Sequence, residues 1–377
     1  MTNNKDKKVL NVPNLRFPEF TGEWMKCKFG EIATGFDYGM NAAAKPYDGQ
    51  NKYIRITDID EASSTYNNSS IVSPDGILSE NYVVNEGDIL LARTGASTGK
   101  SYLYRKSDGK LYYAGFLIRA NVAEHNPYFV FSQLHTHRYW RWVSIMSARS
   151  GQPGINSLEY ASFPIFTTTL KEENKISSLL SLIDERITTQ NKIIEKLQSL
   201  IKGIAQNIVL RNKPNVRISQ CLECCSSTLQ ESDVLEYGTY PVYGANSVVG
   251  FLDNYNTSNE AIYIIKDGSG VGAVSYVAGK CSATGTLNIL QAKKGFSLRY
   301  LYYLLNIFNF EPYKTGMAIP HIYFKDYGKA QIFCPSYSEQ LKYAKFLATI
   351  DDKLLTEQNV LINLSLQKQY LLRQMFI

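Results

Sequence analysis

The chain has 377 residues, of which 44% are hydrophobic and 20% charged, and its net charge of +6 admits a polyanionic partner without requiring one. This composition excludes an intrinsically disordered chain, and no apolar run approaches the roughly 18 residues of a membrane span. Because the start lacks the apolar stretch of a signal peptide and the six cysteines are irregularly spaced, we expect a cytoplasmic protein with reduced thiols.

The first part of the chain predicts a mostly β module that ends in a helix. Residues 1–23 contain two prolines and no helical period, so we expect an extended lead-in. From Trp24 to about Ala123, short β-rich runs alternate with clusters of Gly, Asn, Ser and Asp, which is typical of strands joined by turns. The predicted strands are residues 52–56, 88–92, 101–105 and 116–120. Residues 127–147 have apolar residues at helical spacing and predict one helix.

A long amphipathic helix follows and is repeated at the end of the chain. Its apolar residues alternate steps of four and three over about residues 171–209, which is the spacing of a coiled-coil seam and corresponds to a helix about 58 Å long. Every seam position recurs 167 residues later in the same register. The first seam consists of Ile176, Leu180, Ile183, Ile187, Gln190, Ile194, Leu197, Ile201, Ile204 and Ile208. The second consists of Tyr343, Leu347, Ile350, Leu354, Glu357, Leu361, Leu364, Lys368, Leu371 and Met375.

Between the two helices, a second globular unit repeats the outline of the first. Pro214 ends the first helical run, and the predicted strands and helix that follow are residues 240–244, 261–265, 273–277, 286–290 and 298–306. We therefore predict an α+β fold in which two β-rich units are each followed by a long helix. The two helices are expected to pair as an antiparallel coiled coil with approximate two-fold symmetry. The predicted parts are 1–168 and 212–335 for the β-rich units and 169–211 and 336–377 for the helices.

Loops around repeated glycines are the candidate contact sites for a nucleic acid. Glycine there permits either a plain hairpin turn or a close approach of the backbone to a ligand. Arg and Lys bond guanine edges or phosphates, and Asp accepts a hydrogen bond from cytosine. The candidates in the first unit are Arg93, Thr94, Ser97 and Lys100, with Gln152 and Asn156 from the turn that closes the unit. Those in the second unit are Lys266, Asp267, Ser269 and His321. Solvated loops with incidental charges are the alternative.

Three motif-like stretches fall short of a site. The run TGASTGKS at 94–101 lacks the first glycine of a phosphate-binding loop and precedes a strand-like run where such a loop must open a helix. Cys221, Cys224 and Cys225 have no second pair of zinc ligands at a suitable spacing. The run HRYWRW at 137–142 interleaves basic and aromatic residues as single-strand binders do, but its helical spacing favours packing onto the unit's own sheet. We therefore expect neither catalysis nor a metal site in this chain.

One polar position interrupts each seam at the same place, Gln190 in the first copy and Glu357 in the second. In an antiparallel pair both residues fall near mid-helix, where a buried polar pair would fix the register at some cost in stability. Lys368 replaces the apolar Ile201 near a helix end, and we expect its ammonium group to extend toward solvent.

The two variable units, the two repeated seam helices and the opening string LRFPEFTGEW (Leu15–Trp24) together resemble the specificity subunit of a type I restriction-modification enzyme. The resemblance extends over essentially the whole chain. It implies that each variable unit is a target recognition domain that reads one half of a bipartite DNA site, while the helices form a spacer and dock methyltransferase subunits. The string GQPGIN at 151–156 matches a turn of such domains, whereas the second copy departs from it.

The same resemblance implies a non-catalytic chain that works with catalytic partners. Methylation would reside in two modification subunits that bind S-adenosylmethionine, and cleavage in restriction subunits, which are motor-nucleases that use ATP and Mg. Two alternatives remain at this point. One is a coiled-coil protein adaptor that does not bind DNA, and the other is a nucleotide hydrolase that uses Lys100.

Overall fold

The computed structural model describes residues 10–61, 63–148, 153–245, 247–268, 270–316 and 319–377. These residues form two units. Unit 1 comprises the described residues up to Thr188 together with Ile362–Ile377, and unit 2 comprises those within Thr189–Leu361. The domain limits predicted from the sequence follow a different division, which assigns each long helix to a part of its own, and they stay a prediction.

Unit 1 contains short strands, short helices and the first part of a long helix. Its strands are β1 (Met25–Lys28), β2 (Thr34–Tyr38), β3 (Ala43–Pro46), β4 (Lys52–Ile54), β5 (Val72–Asp75), β6 (Asp88–Ala92), β7 (Ser101–Leu103), β8 (Leu111–Tyr113), β9 (Leu117–Asn121) and β10 (Pro164–Thr167). Its helices are α1 (Phe29–Ile32), α2 (Pro127–Gln133), α3 (His137–Ser147), α4 (Ser157–Ala161) and α5 (Leu170–Leu210), the last of which continues into unit 2.

Unit 2 has the same kinds of element. Its strands are β11 (Val216–Arg217), β12 (Leu222–Ser226), β13 (Tyr240–Tyr243), β14 (Val248–Leu252), β15 (Glu260–Ile265), β16 (Val274–Ala278), β17 (Ser282–Ala283), β18 (Leu287–Ala292) and β19 (Gln331–Ile332). Its helices are α6 (Ile218–Cys221), α7 (Leu298–Leu305), α8 (Phe324–Tyr327) and α9 (Tyr337–Gln374), and α9 ends in unit 1.

A four-stranded antiparallel sheet forms the centre of each unit, and its strand order is equivalent in both. The order is β2-β9-β6-β7 in unit 1 and β12-β18-β15-β16 in unit 2. Side chains alternate between the two faces of a strand. In β6, Ile89 and Leu91 therefore pack with residues of α2, α3 and α4, whereas Leu90 and Ala92 belong to a second core cluster on the other face. This burial on both faces explains why the central strands are nearly continuous apolar runs.

The predicted strands 88–92, 101–105 and 116–120 correspond to β6, β7 and β9, with small shifts at their ends. The single helix predicted over 127–147 is wrong, because α2 ends at Gln133 and α3 begins at His137. Thr136 causes the break. Its hydroxyl donates to the carbonyl oxygen of Gln133 at 2.8 Å and accepts from the amide of Tyr139 at 3.4 Å, so it caps the new helix.

Helices α5 and α9 pack against each other in antiparallel fashion within each unit. In unit 1 the start of α5, at Ile176 and Leu180, packs against the end of α9, at Leu371 and Met375. In unit 2 the end of α5 packs against the start of α9. Every predicted seam position of both helices is buried or half-buried. The predicted α+β class, with two β-rich units each followed by a long helix, is confirmed. None of the helices in the described ranges has the length and hydrophobicity that a membrane span requires.

A repeated aspartate joins the globular part of each unit to its long helix. Asp184 accepts a hydrogen bond from the hydroxyl of Tyr128 in α2, and Asp351 accepts one from Tyr303 in α7 at 3.1 Å. Burial raises the pKa of both tyrosines, which keeps their hydroxyls protonated as donors. Lys368 does not extend toward solvent as expected, because its ammonium nitrogen lies 2.6 Å from Oδ1 of Asp184.

Candidate nucleic-acid interface

In unit 1, three strands of the central sheet begin or end on the same side of the sheet. This row of strand ends is called the sheet edge. Strand β2 ends at Tyr38, β6 ends just before Arg93, and β9 begins just after Phe116. The backbone N–H of Arg93 donates to the carbonyl oxygen of Phe116 at 3.0 Å. Because neighbouring strands are antiparallel, these three residues come from distant parts of the chain and still meet at the same edge.

A fourth segment, Pro153–Asn156, lies against this edge. Thr94 and Gly154 form an antiparallel bridge, and the backbone N–H of Gly95 donates to the carbonyl oxygen of Pro153 at 3.0 Å. On the other side, the backbone N–H of Ile155 donates to the carbonyl oxygen of Arg93 at 2.9 Å. The loop after β6 and the closing turn, which the sequence suggested separately, therefore form one surface.

Unit 2 reproduces these contacts with different side chains. The backbone N–H of Lys266 donates to the carbonyl oxygen of Thr286 at 3.0 Å, as Arg93 does to Phe116. The backbone N–H of Gly268 donates to the carbonyl oxygen of Pro320 at 3.0 Å, and Asp267 forms an antiparallel bridge with His321. The two units thus share a backbone arrangement and differ in the residues it presents.

Most of the predicted contact residues lie at or next to these two edges. They are Arg93, Thr94, Ser97, Lys100 and Asn156 in unit 1 and Lys266, Asp267 and His321 in unit 2. Gln152 and Ser269, which were also predicted, lie outside the described residues. The role of all these residues in DNA binding stays a prediction.

Two of the predicted contact residues already have partners within unit 1. The ammonium nitrogen of Lys100 lies 3.1 Å from Oε2 of Glu61. Asn156 caps α4, because its Oδ1 accepts from the amide of Glu159 at 2.9 Å while the Glu159 carboxylate accepts from the amide of Asn156 at 2.9 Å. This reciprocal pair is a capping box and stabilises the start of the helix.

The repeated glycines form the tight turns that this edge needs. Gly95 and Gly99 have φ of 68° and 93°, and Gly268 and Gly272 have φ of 94° and 93°, a region that favours glycine. In unit 1 a 3₁₀ turn, Gly95–Ser97, leads through Gly99 into strand β7. A phosphate-binding loop would have to open a helix here, so the hydrolase alternative loses its structural basis.

The cysteines of unit 2 do not assemble with other ligands. Cys224 and Cys225 are adjacent on β12, so their side chains point to opposite faces of the sheet, and Cys221 lies in the core with its sulfur 3.8 Å from that of Cys334. Throughout the described ranges, no group of three or more His, Cys, Asp or Glu side chains could hold a metal ion.

The two edges differ most in how one position is filled. Tyr38 pairs with Ile118, and Ser226 pairs with Asn288, where Ile118 and Asn288 are each the second residue of their strand. Ser226 therefore occupies in unit 2 the place that Tyr38 occupies in unit 1. In unit 2 this place is part of a cleft of about 390 Å³, whose lining includes Lys266, Asp267, Asn288, Tyr323 and Lys325.

Tyr38 occupies the equivalent strand position in unit 1 and contacts Arg93. The guanidinium carbon of Arg93 lies 4.7 Å from the centre of the Tyr38 ring. The backbone N–H of Ser157 donates to the Tyr38 hydroxyl at 3.3 Å. This hydrogen bond lowers the pKa of Tyr38, burial opposes it, and the charge of Arg93 adds to the lowering.

Several residues at these edges were not predicted as contacts from the sequence, namely Tyr38, Phe116, Thr286, Tyr323 and Lys325. Both aromatic side chains are exposed, with exposed fractions of 42% for Tyr38 and 56% for Phe116. Phe116 is the first residue of the predicted strand 116–120, so its place at a strand end was available as a signal. Strand β2 was not predicted, and no local pattern pointed to Tyr38.

Tyr139, Trp142 and Arg138 of the stretch 137–142 pack inward, whereas Trp140 is 41% exposed. The hydroxyl of Tyr139 donates to the carbonyl oxygen of Gly99 at 2.8 Å, and the ring of Trp142 lies 5.0 Å from that of Phe163. The guanidinium carbon of Arg138 lies 4.6 Å from the centre of the Phe166 ring. The interpretation as packing of the helix within its own unit is confirmed, and these groups are not available to stack on bases.

The polar pair predicted in the seam is in contact within unit 2. Gln190 is buried, and its amide donates to the backbone oxygen of Glu357 at 2.9 Å and also to the Glu357 carboxylate. Lys353 and Gln190 together lower the pKa of Glu357, so this carboxylate is an acceptor. The effect of this polar pair on the register of the helices stays a prediction.

Comparison with known proteins shows which proteins this chain resembles. Residues 215–364 match the family model described as the type I restriction modification DNA specificity domain. The chain is 26% identical over 113 residues to a putative type I restriction enzyme specificity subunit of Haemophilus influenzae, with 29% of each protein covered. The chain is thus similar to specificity subunits of type I restriction-modification systems.

Two further specificity subunits are similarly distant from this chain in sequence. A putative type I specificity subunit of Mycoplasma genitalium is 24% identical over 244 residues, which cover 59% of this chain and 63% of that protein. The type I restriction enzyme EcoprrI specificity subunit of Escherichia coli is 24% identical over 126 residues, which cover 33% of this chain and 30% of that protein. The matched segments thus span less than two thirds of each of these relatives.

Solved structures extend the likeness of fold to nearly the whole chain. The crystal structure of the type I restriction-modification system S subunit from M. genitalium superimposes with a TM-score of 0.68 at 18% identity and covers 97% of this chain and 99% of that one. A second structure, from work on complex assembly and conformational transition of the type I R-M system, has a TM-score of 0.52 at 15% identity. At these identities the likeness concerns the fold of the specificity family.

Proposed function

We propose that this chain is the DNA sequence-recognition subunit of a type I restriction-modification complex, and that each unit reads one half of a bipartite site. The observation that carries the proposal is the duplicated sheet edge, where the same backbone contacts recur while the side chains differ. Protein symmetry is mirrored in the symmetry of a DNA site. Two units with one backbone arrangement and different side chains therefore suit a site whose halves differ in sequence.

Affinity and sequence choice would come from different contacts. Lys and Arg side chains would neutralise phosphates and supply most of the affinity, whereas contacts to base edges would supply specificity. In unit 1, Arg93 has the chemistry for guanine, and in unit 2, Asp267 has the chemistry for cytosine. Lys266, beside Asp267 in the open cleft, suits either guanine or a phosphate.

The long helices would set the gap between the half-sites and dock methyltransferase subunits. Helix α5 has 41 residues, which corresponds to a length of about 60 Å or about 18 base pairs. Outside the seam the helices carry exposed apolar residues, among them Phe346, Leu355 and Leu366. Exposed apolar residues beside a packed seam support a role in binding protein partners.

Catalysis would belong to partner subunits, with two modification subunits for methylation and restriction subunits for cleavage. On this proposal the chain binds no cofactor of its own. S-adenosylmethionine would be held by the modification subunits, and ATP and Mg by the motor-nuclease. The similarity of residues 215–364 to the type I restriction modification DNA specificity domain supports this division of labour.

Exchanging residues 1–168 for the equivalent part of another family member should change one half-site and leave the other intact. The exchange keeps strands β1 and β10 together, since they pair with each other. The full wild-type chain and the chimera would each be incubated with a pool of randomised DNA duplexes, and the retained duplexes would be sequenced. Altered recognition on both sides would contradict independent reading, and an adaptor would yield no motif and no steep dependence of retention on salt.

Lengthening both long helices should widen the gap between the half-sites. Seven residues inserted next to Gln190 in α5 and next to Glu357 in α9 add two helical turns and preserve the seam register. The expected widening is about 10 Å, or about three base pairs. The same selection from randomised duplexes measures the gap. An unchanged gap would contradict the spacer role, and insertion into α5 alone, which breaks the pairing, is the control.

A further inference from the structure

Arg93 differs from neighbouring cations of unit 1 in its surroundings. Lys100 and Arg119 have carboxylate partners, Glu61 and Asp37 respectively. Arg93 has no such partner among the described residues, and its buried Nε meets no hydrogen-bond acceptor there. The side chain of Arg93 therefore keeps a hydrogen-bond donor that no described residue uses.

Tyr38 is the residue that holds the guanidinium group of Arg93. The aromatic ring lies 4.7 Å from the guanidinium carbon, and the pairing of the Tyr38 backbone with Ile118 places this ring at the end of β2. Stacking on a ring restricts the planar guanidinium group to few orientations, so less entropy is lost when both of its terminal nitrogens bind a ligand.

The chemistry of a stacked arginine selects among the bases. Its fork of donors matches the paired acceptors O6 and N7 of guanine in the major groove, which is the commonest specific contact between a side chain and a base. Unit 2 offers no such arrangement, because Lys266 stands in place of Arg93 and Ser226 in place of Tyr38. A lysine presents a point charge and lacks the planar pair of N–H donors that an arginine offers.

We infer that Arg93 reads a guanine in the half-site of unit 1 and that Tyr38 is the positioning residue that holds its guanidinium for this contact. The inference rests on the proposed function. It adds the base that unit 1 selects and assigns a role to a tyrosine outside the loops that carry the other candidates.

The test compares full-length variants by selection from randomised duplexes. The half-site of unit 1 is the one that changes when residues 1–168 are exchanged. Arg93→Ala should reduce the preference for guanine at one base pair of this half-site by about 5- to 150-fold. Tyr38→Leu, which keeps apolar bulk without the aromatic face, should reduce the preference at the same base pair by about 2- to 30-fold. Tyr38→Phe keeps the ring and should restore the preference to within about twofold of wild type.

Controls separate positioning from a general loss of structure. The other half-site should be read equally well by all variants, because it belongs to unit 2. Tyr255→Ala removes a ring that lies 4.9 Å from the ammonium nitrogen of Lys280 in unit 2 and should leave the guanine preference unchanged. Arg93→Lys keeps the charge without the fork and should lose the preference as Arg93→Ala does.

Three results at the half-site of unit 1 would each overturn the inference. They are a unit 1 half-site without a guanine that depends on Arg93, a Tyr38→Leu variant that reads this guanine as well as wild type, and a Tyr38→Phe variant that loses as much as Tyr38→Leu. A loss at both half-sites in Tyr38→Leu would also overturn it, since it would indicate a structural defect. A wild-type chain that enriches no motif at all would instead contradict the proposed function.

Discussion

Replacing Glu172 with alanine is expected to lower the free energy of unfolding by about 3–5 kcal/mol. The side chain of Glu172 is 1% exposed, and Arg16 lies 2.7 Å from its carboxylate. The indole N–H of Trp24 and the hydroxyl of Thr168 also donate to it, at 3.3 and 2.6 Å. The substitution leaves the largely buried guanidinium of Arg16 without its counter-charge. Denaturant unfolding of the full chain, followed by tryptophan fluorescence, measures the difference.

Glu339 provides a matched control, because it occupies the same position of the repeat at the start of α9. Its carboxylate is exposed and accepts from the hydroxyl of Ser336 at 2.6 Å and from the Ser336 backbone N–H at 3.2 Å. Loss of this capping interaction should cost about 0.5–2 kcal/mol. Equal losses for Glu172→Ala and Glu339→Ala would show that burial of the ion pair in unit 1 contributes little.

The effect of Glu172→Ala should also depend on pH in a defined direction. Burial raises the pKa of Glu172, but the hydrogen bonds from Arg16 and Thr168 and the charge of Arg16 outweigh it, so the pKa lies below its ordinary value of 4.5. A depressed pKa contributes stability above the unfolded pKa, and this contribution disappears as the pH falls through the folded pKa. The difference between wild type and variant should therefore be constant above about pH 5.5 and shrink progressively below about pH 4.5. A difference that grows on acidification would contradict this assignment.

Truncating a buried leucine of the seam should lower the free energy of unfolding by a similar amount. Leu180 is 0% exposed and packs in a cluster with Ile176 and Met375. Leu180→Ala removes buried methyl groups and leaves a cavity, so we expect a loss of about 2–5 kcal/mol in the free energy of unfolding. The measurement is again denaturant unfolding of the full chain.

The same substitution two residues further along the helix is the control. Leu182 is 59% exposed, so Leu182→Ala should change the stability by no more than about 0.5 kcal/mol. Leu347, the repeat equivalent of Leu180 in α9, is buried in unit 2 and should be as sensitive as Leu180. Similar small losses for Leu180→Ala and Leu182→Ala would contradict the assignment of the seam.

The features that the sequence alone determined are those encoded by local periodicity. The four-three spacing predicted both long helices and their packed face, and the continuous apolar runs predicted the central strands β6 and β15. The duplicated polar position predicted the contact between Gln190 and Glu357, because a repeat that preserves register preserves relative placement in an antiparallel pair. Gly95 and Gly99 indicated either tight turns or a close approach of the backbone to a ligand, and the strand-like run after them argued against a phosphate-binding loop.

What only the tertiary structure decided depends on contacts between residues far apart in the chain. Glu172 and Glu339 occupy the same repeat position, yet only Glu172 is buried, because Arg16 and Trp24 from the lead-in segment cover it. Likewise, Tyr38 meets Arg93 because strand order places the end of β2 and the end of β6 at one edge with β9 between them. Local sequence sets the period of each element, but strand order and the packing of distant segments determine which side chains share a surface, and no short pattern encodes them.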